Sequence, residues 1–322
     1  MDLNYRILWF EDNDEWFESI SSKVEKYIEG KNLKVSINRV RRGDEKVSDY
    51  GAYEIMVVDY QLEGDTYGNT AIQAIRDEKY YNDVIFYSSA GNQNISKVLS
   101  EEGLQGVFTS DRNRKELLPL IHSLVDKSLR RSESIVNIRG VVMDSTSSYD
   151  SMVSELILKL CDQFTASDGE SLKNIIDYIN TTLLMNYNEK SNKFLQNYSE
   201  FDGDKLNELL EEREFNSYMK IRLLNKALCM DYSNKAKIEE AYFEVFDEDG
   251  SKMNFMRHYE EDVLQHRNDL AHASPKFTEK GEMFIGKKGG KDIIFNAELC
   301  DNIRANLIKY EQLFKKFDQA LQ

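Results

Sequence analysis

Short apolar runs alternate with longer polar segments through the first 130 residues. The runs cover residues 6–10, 34–37, 53–58, 83–87 and 106–109. Most of them are apolar on both faces, which is typical of strands that are buried on both sides of a parallel sheet. The segments between and after them, at about 14–29, 68–80, 92–102 and 112–130, are long enough for helices. The pattern predicts an α/β doubly wound domain with a five-stranded parallel sheet.

Helical periodicity dominates the chain after residue 131. Candidate helices cover about 133–165, 168–186, 203–230, 234–245, 254–274 and 298–319. Two apolar triplets, 283–285 and 293–295, flank a glycine-rich segment and predict a small β-hairpin. No segment rich in proline or glycine separates the two halves. We therefore expect an α/β domain at residues 1–130, joined by a short or helical junction to an all-α bundle at residues 131–322.

Acidic residues stand at the ends of the predicted strands. Glu11 and Asp12 follow the first strand, Asp59 follows the third, and Ser88 follows the fourth. Ligands of doubly wound sheets bind at the carboxyl ends of the strands, where the strand order reverses. In the order 2-1-3-4-5 the first and third strands are neighbours, so the three carboxylates converge. Such a cluster requires a hard cation, and Mg²⁺ is the expected metal.

These features resemble the response-regulator receiver domain over roughly residues 4–130. The residues that carry the resemblance are 7–12, 57–62, Gly68 and 85–89. The resemblance implies that Asp59 is the phosphoacceptor and that Glu11 and Asp12 bind Mg²⁺ together with it. Ser88 matches the hydroxyl residue that senses the acyl phosphate. A histidine kinase or another phosphodonor is the implied partner.

The predicted fifth strand departs from the receiver pattern. Receivers usually carry a lysine at its end, followed by proline, but Ser110 and Asp111 occupy these positions. The cation that normally pairs with the phosphate is therefore missing from its usual place. Arg112 and Arg114 are the nearest basic residues along the chain. The position of the aromatic switch residue is taken by Val107.

Composition limits the possible functions. The net charge of −15 argues against a broad electrostatic grip on nucleic acid, so RNA chemistry would need a local site, and DNA is not expected. The three cysteines are far apart and predict no zinc site. Neither a signal peptide nor an apolar run of about eighteen residues is found, which predicts a cytoplasmic protein that does not span a membrane.

Three of the four histidines fall between residues 258 and 272. In the same stretch, Arg267 and Asn268 precede His272. A guanidinium can stabilise charge that builds up on phosphorus, and an imidazole can move protons near neutral pH. The alternatives are surface ion pairs with nearby acids and a metal site that includes His258 and His266. The scattered helical positions of the histidines disfavour the metal site.

The helical positions of the motif residues impose a condition on the site. On an ideal helix Asn268 and His272 lie ~40° apart, whereas Arg267 and His272 lie ~140° apart, which is wide for one compact site. Either the helix loosens near Ser274, before Pro275, or a second copy of the chain completes the site.

The pattern of Arg267, Asn268 and His272 resembles the motif of the HEPN ribonucleases, and the helical second half agrees with that family. The resemblance implies a metal-independent endoribonuclease that acts as a homodimer through the helical domain. The RNA 2′-hydroxyl attacks the adjacent phosphate, with His272 as general base or acid. Arg267 stabilises the transition state, and Asn268 orients the phosphate or His272.

The two resemblances together suggest a ribonuclease that is controlled by phosphorylation or by a partner at the receiver-like domain. Such pairings resemble bacterial stress or phage-defence effectors. The alternative is a non-enzymatic signalling or dimerisation adaptor with an atypical receiver. Ser110 and the negative charge favour the adaptor, and the Arg267–His272 pattern favours the enzyme.

Overall fold

The computed structural model describes residues 3–89, 92–166, 169–184, 198, 201, 203–246, 253–272, 276–278, 281–285 and 292–322. The chain divides into two compact units. Unit 1 consists of Met1–Ile138 with Phe295–Arg304, and unit 2 of Arg139–Ile294 with Ala305–Gln322. The divisions after Ile138 and Arg304 fall inside continuous helices, so those helices belong to both units.

Unit 1 contains a five-stranded sheet. Its strands are β1 (Asn4–Phe10), β2 (Lys34–Val40), β3 (Ile55–Asp59), β6 (Asp83–Ser88) and β7 (Val107–Asp111). The order is β2-β1-β3-β6-β7, and all neighbours are parallel. This is the flavodoxin-like order, so the predicted doubly wound fold is confirmed. Every residue of β3 is buried, which explains its uninterrupted apolar run.

Helices cover both faces of this sheet. They are α1 (Asp14–Glu29), α2 (Gly68–Asp77), α3 (Asn92–Glu102) and α4 (Arg114–Ser132). Alternate residues of β1 enter different cores: Ile7 and Trp9 pack on the side of α1 and α4, and Leu8 and Phe10 on the side of α2. A two-stranded ribbon, β4 (Gln61–Leu62) with β5 (Thr66–Tyr67), follows β3. The strand ends are therefore held between two packed layers.

Unit 2 is mainly helical. Its helices are α5 (Ile135–Ala166), α6 (Glu170–Tyr178), α7 (Leu206–Glu211), α8 (Ser217–Leu228), α9 (Lys235–Phe246), α10 (Phe255–Tyr259), α11 (Gln265–His272) and α12 (Ala297–Ala320). Two π-helical segments, Ile179–Leu184 and Glu260–Leu264, continue α6 and join α10 to α11. None of the helices that could be examined is long and apolar enough to cross a bilayer.

One sequence prediction for this half needs correction. The single helix predicted over 203–230 is wrong, because the chain leaves the helix after Glu211 and starts α8 at Ser217. Asn216 marks the new start, since its side chain accepts a hydrogen bond from the Met219 amide.

The predicted β-hairpin is part of a three-stranded sheet. Its strands are β8 (Lys276–Thr278), β9 (Gly281–Ile285) and β10 (Asp292–Phe295), in the order β10-β9-β8. The apolar triplets lie within β9 and β10, as predicted, whereas β8 was not predicted. The glycine-rich segment 286–290 lies outside the described residues.

Candidate functional site

Carboxylates meet at the carboxyl-terminal edge of the sheet in unit 1. Glu11 and Asp12 directly follow β1, and Asp59 is the last residue of the neighbouring strand β3. One carboxylate oxygen from each lies within 4.8 Å of the others. The structure therefore brings together the three residues that the sequence suggested as metal ligands.

Two of these carboxylates are almost completely shielded from solvent. Glu11 is 0% exposed and Asp59 is 1% exposed, while Asp12 is half-buried. Burial raises the pKa of Glu11. Burial, and secondly the charge of Glu11, raise the pKa of Asp59 to about 7, although Arg112 opposes the shift. Negative charge is therefore concentrated in a buried site where it is unfavourable, and a bound cation would neutralise it.

Glu11 is held by a chain of hydrogen-bond donors. The Tyr87 hydroxyl donates to Glu11 Oε2 at 2.6 Å, and Trp9 Nε1 donates to the Tyr87 hydroxyl at 3.1 Å. The Asn13 amide donates to Glu11 Oε1 at 2.8 Å. These bonds fix the carboxylate from both sides, so its orientation is set by the sheet and by the start of α1.

Arg112 supplies a positive charge inside the cluster. Its Nη1 lies 2.9 Å from Asp59 Oδ2, and its Nη2 lies 2.9 Å from Glu11 Oε1. The Asp59 contact meets the distance of an ion pair but not the geometry of a hydrogen bond, so Oδ2 remains without a hydrogen-bond donor among the described residues. A cation is therefore present, two residues beyond Ser110.

The hydroxyl residues at this edge are buried but differ in their placement. Ser88 ends β6 and is paired with Asp111 of β7. The Ser110 hydroxyl donates to the Asp111 carbonyl at 3.0 Å. Ser110 is thus engaged with its own strand and brings no charge, whereas Ser88 stands at the carboxyl edge on the strand next to β3.

The residues present fit a divalent cation. Carboxylate oxygens are the ligands that Mg²⁺ prefers in proteins, and Glu11, Asp12 and Asp59 each offer one. Asp59 Oδ2 is buried and accepts no hydrogen bond among the described residues, so it has unused capacity. An open cleft next to the cluster is lined by Asp12, Asn13, Asp14, Glu15, Gln61 and Arg112. Ions from solvent can approach along this cleft.

The Arg–His motif of unit 2 lies on one short helix. Arg267, Asn268 and His272 all belong to α11, which is regular, so positions 267 and 272 remain ~140° apart around its axis. Asn268 is exposed and Arg267 is half-buried. The side chain of His272, and residues 273–275 at the predicted loosened end, lie outside the described residues.

Arg267 is near a half-buried acid on α5, Asp150. Burial raises the pKa of Asp150, while the Ser217 hydroxyl, Lys220 and Arg267 lower it. Ser217 donates to Asp150 at 2.5 Å. Arg267 Nε is itself buried and has no hydrogen-bond partner within the described residues. Asp150 therefore offers Arg267 charge compensation, and one donor of the guanidinium stays unused.

The remaining histidines of this region have different surroundings. His258 Nδ1 is 2.7 Å from the Tyr242 hydroxyl, and its ring stacks on Phe246 at 4.7 Å. Burial lowers the pKa of His266, against the charges of Asp269 and Asp262. His258 is thus part of an aromatic cluster, and the structure does not gather these histidines into a metal site among the described residues.

Two tyrosines and two cations of α6 and α8 form a row in unit 2. Tyr218, Arg222 and Lys226 follow one another at four-residue steps along α8. The Arg222 guanidinium lies 5.8 Å from the Tyr218 ring and 6.0 Å from the Tyr178 ring of α6, and Lys226 lies 5.8 Å from the latter. No carboxylate of the described chain forms an ion pair with either cation. We call these four residues the tyrosine–cation row.

Tyr87 and Arg139, near the two candidate sites, were not predicted from the sequence, and Arg112 was predicted only as an alternative to Arg114. Tyr87 lies inside an apolar strand, and only its hydroxyl distinguishes it from a core residue. Arg112 was one of two possible cations. Arg139 on α5 donates to the Leu270 carbonyl at 2.7 Å and so lies against α11. No local signal links residue 139 to residue 270, because they are far apart in the chain.

No family model and no curated protein matches this chain. A signal receiver domain of a putative LuxO repressor protein from Vibrio parahaemolyticus is 16% identical, with 40% of this chain and 95% of that chain covered and a TM-score of 0.30. A CheY-like receiver domain from Methanospirillum hungatei JF-1 is 16% identical (39% and 98% covered, TM-score 0.30). Full-length FixJ from B. japonicum is 10% identical (70% and 98%, TM-score 0.27). The solved structures similar to this chain thus include response-regulator receiver domains.

Proposed function

We propose that this chain is a response-regulator-type signalling protein in which Asp59 accepts a phosphoryl group. The observation that carries the proposal is the buried cluster of Glu11, Asp12 and Asp59 at the switch point of the sheet. An Asp59 oxygen attacks the phosphorus of a donor, and the bond between phosphorus and the donor's leaving group breaks. The expected donor is a histidine kinase or a small acyl phosphate.

Each residue of the cluster has a distinct task in this reaction. Mg²⁺, when bound, neutralises charge on the transferring phosphoryl group, and Glu11, Asp12 and Asp59 would hold it. Tyr87 keeps Glu11 oriented toward the site through their 2.6 Å hydrogen bond. The Ser88 hydroxyl is the group that would sense the phosphorylated Asp59, since it stands on the adjacent strand.

Labelling with radioactive acetyl phosphate in the presence of Mg²⁺ tests this proposal. Asp59→Asn should abolish the label, because an amide oxygen does not form the acyl phosphate. Asp65→Asn is the matched control, since Asp65 is an exposed carboxylate a few residues further on. Wild-type protein that stays unlabelled, or an Asp59→Asn variant that is still labelled, would show the proposal to be wrong.

For the second half of the chain, we propose a HEPN-like endoribonuclease in residues 131–322, regulated by the domain at 1–130. Arg267, Asn268 and His272 would cleave RNA without a metal, in a homodimer formed through the helical domain. The buried Nε of Arg267 supports this role, because it has no hydrogen-bond partner among the described residues and so leaves a donor available for a phosphate. The preceding π-helical segment Glu260–Leu264 also supports it, since such segments are frequent at functional sites.

The tyrosine–cation row offers the RNA a local surface on an acidic protein. Aromatic rings can stack on bases and cations can pair with phosphates, which is how single strands are held without sequence preference. The net charge of −15 makes such a local patch necessary for RNA binding. We therefore expect binding that weakens strongly as the salt concentration rises.

RNA cleavage in EDTA tests the enzyme. Arg267→Ala and His272→Ala should each lower the rate by at least about 100-fold if they stabilise charge or move protons in the transition state. Arg257→Ala is the control, because Arg257 is an exposed arginine that pairs with Glu261 on the same helical stretch. A wild-type protein that is inert towards RNA, with or without acetyl phosphate, would contradict the enzymatic role.

The second candidate function is a non-enzymatic adaptor with an atypical receiver. It is favoured by the position of Asp150, which compensates the charge of Arg267 and gives that arginine a structural role. In this case the Arg267→Ala variant should lose stability, and RNA should remain intact with every variant. Thermal unfolding of the variant, measured beside the cleavage assay, separates the two functions.

A further inference from the structure

Arg112 bridges the two buried carboxylates of unit 1. Its two terminal nitrogens are each 2.9 Å from one oxygen, on Asp59 and on Glu11 respectively. Both carboxylates are almost fully buried, whereas the Arg112 side chain is 20% exposed. The guanidinium thus closes the outer side of the cluster and is its resident counter-ion.

A divalent cation bound to the same oxygens conflicts with this arrangement. Mg²⁺ lies about 2.1 Å from its ligand oxygens. The guanidinium nitrogens are already in contact with Glu11 Oε1 and Asp59 Oδ2, so metal and guanidinium would stand a few ångströms apart. Two like charges at that distance repel strongly in a buried site. Metal binding therefore requires the Arg112 side chain to move.

The surroundings of Arg112 allow that movement without a change in the fold. Its backbone amide donates to the Ser88 carbonyl at 2.9 Å, which anchors the main chain to β6. The side chain borders the open cleft together with Asp12 and Gln61. The guanidinium carbon already lies 5.3 Å from the Trp16 ring centre, so one side of the guanidinium is in cation–π contact while it bridges the carboxylates, and this ring borders the path into the cleft. Rotation of the side chain alone can carry the charge outward.

We infer that Arg112 is a displaceable internal cation that both competes with Mg²⁺ at Glu11 and Asp59 and, once displaced, pairs with the phosphoryl group on Asp59. In this second role Arg112 replaces the lysine that receiver domains usually carry at the position of Ser110. A planar guanidinium can donate two charge-assisted hydrogen bonds to phosphoryl oxygens, which a single ammonium group does with less geometric control. This inference rests on the proposed phosphorylation of Asp59 for its second half only.

Metal titration of the full chain tests the first half. The only two tryptophans, Trp9 and Trp16, both border the cluster, so intrinsic fluorescence reports on it. Titration with MgCl₂ should show about tenfold tighter binding, or more, for Arg112→Gln than for wild type, because a nearby positive charge has been removed. Asp12→Asn should largely remove the response.

Arg114→Gln is the matched control. The Arg114 guanidinium carbon lies 5.9 Å from the same Trp16 ring, and Arg114 forms no ion pair with the cluster in the described structure. Its Mg²⁺ affinity should stay close to that of wild type. The inference would be overturned if Arg112→Gln bound Mg²⁺ no more tightly than wild type, or if both arginine variants gained affinity equally. A full fluorescence response of Asp12→Asn would overturn it as well. If Arg112→Gln is less stable than wild type in the absence of metal, the Tm is compared instead, and Mg²⁺ must raise the Tm of this variant by more than that of wild type.

Acetyl phosphate labelling at saturating Mg²⁺ tests the second half. Arg112→Gln should be labelled more slowly although it binds Mg²⁺ more tightly, and Arg112→Lys should recover part of the rate. A purely structural arginine would not change the two measurements in opposite directions. If wild type is not labelled at all, the proposed function fails, while the metal titration still decides whether Arg112 competes with Mg²⁺.

Discussion

The carboxylate cluster of unit 1 and the Arg–His motif of unit 2 are built in different ways. Glu11, Asp59 and Arg112 come from three separate strand ends, and the sheet brings them into contact. Arg267 and His272 come from a single helix, and the spacing along it holds them apart. The first site is complete within one fold unit, whereas the second depends on groups outside its helix.

The two halves therefore differ in the structural feature that determines which side chains meet at the site. At a sheet edge, the strand order and register determine which residues meet, so residues far apart in sequence form one site. On a helix, the sequence spacing determines only the relative directions, and the partners come from elsewhere. Asp150 and Arg139 on α5 illustrate this, because both act on α11 from more than a hundred residues away.

Because strand ends must meet closely to form its site, unit 1 should tolerate little change in the backbone behind the carboxylate cluster. A Cβ atom at Gly68 would lie 2.1 Å from the Asp59 carbonyl oxygen and 2.6 Å from Val58 Cγ1. Gly68→Ala should therefore destabilise the protein by about 3 kcal/mol, since main-chain atoms cannot move aside cheaply. Urea denaturation followed by tryptophan fluorescence measures this. The displaced Asp59 should also be labelled more slowly by acetyl phosphate.

Gly140→Ala is the control for this prediction. Gly140 is an exposed residue of α5, and nothing lies within 4 Å of an added Cβ atom. Alanine should stabilise the helix by up to about 1 kcal/mol, because it is the better helix former. If both glycines tolerate alanine equally, the close approach behind Asp59 is not a constraint and the contrast between the two regions weakens.

The strands of unit 1 could be predicted because a strand that is buried on both faces has an uninterrupted run of apolar residues. Every residue of β3 is buried, and its run of apolar residues ends at Asp59. Glu11, Asp12 and Ser88 could be predicted in the same way, as residues that follow strands. Arg112 could be named only as one of two candidates, because the reach of a long side chain depends on the path of the chain after β7.

The helices of unit 2 were harder to predict for a physical reason. Apolar periodicity indicates a helix but does not resolve a local change from α to π geometry, as at Glu260–Leu264. The break before α8 carries no glycine or proline, and only the capping residue Asn216 marks it. The motif residues of α11 were identified by their spacing, but the half-buried partner Asp150 on another helix could not be.

A smaller effect is expected from the hydrogen-bond chain behind Glu11. Tyr87→Phe removes the donor to Glu11 Oε2 and the acceptor for Trp9 Nε1, both of which are buried. Leaving buried polar atoms without partners should cost about 2 kcal/mol. Urea denaturation without Mg²⁺ gives the value. Tyr81→Phe serves as the control, because Tyr81 is 73% exposed, and it should change stability by less than about 0.5 kcal/mol. If the two substitutions lowered the free energy of unfolding equally, the buried hydrogen bonds of Tyr87 would contribute no more to stability than an exposed hydroxyl.

The smallest effect is expected beside the Arg–His motif, at His266. Burial lowers the pKa of His266 in the folded protein, so below its ordinary value of about 6.5 the unfolded chain binds more protons there. Stability due to this group should be present above that pH and be lost as the pH falls through the lowered pKa.

His266→Gln should reduce the pH dependence of the unfolding free energy between about pH 5 and 7 by at most about one proton. Because a chain of two compact units can unfold in more than one step, the measurement must follow unit 2, for example by hydrogen exchange of α11. An unchanged slope in that helix would show that His266 is solvated like a surface residue.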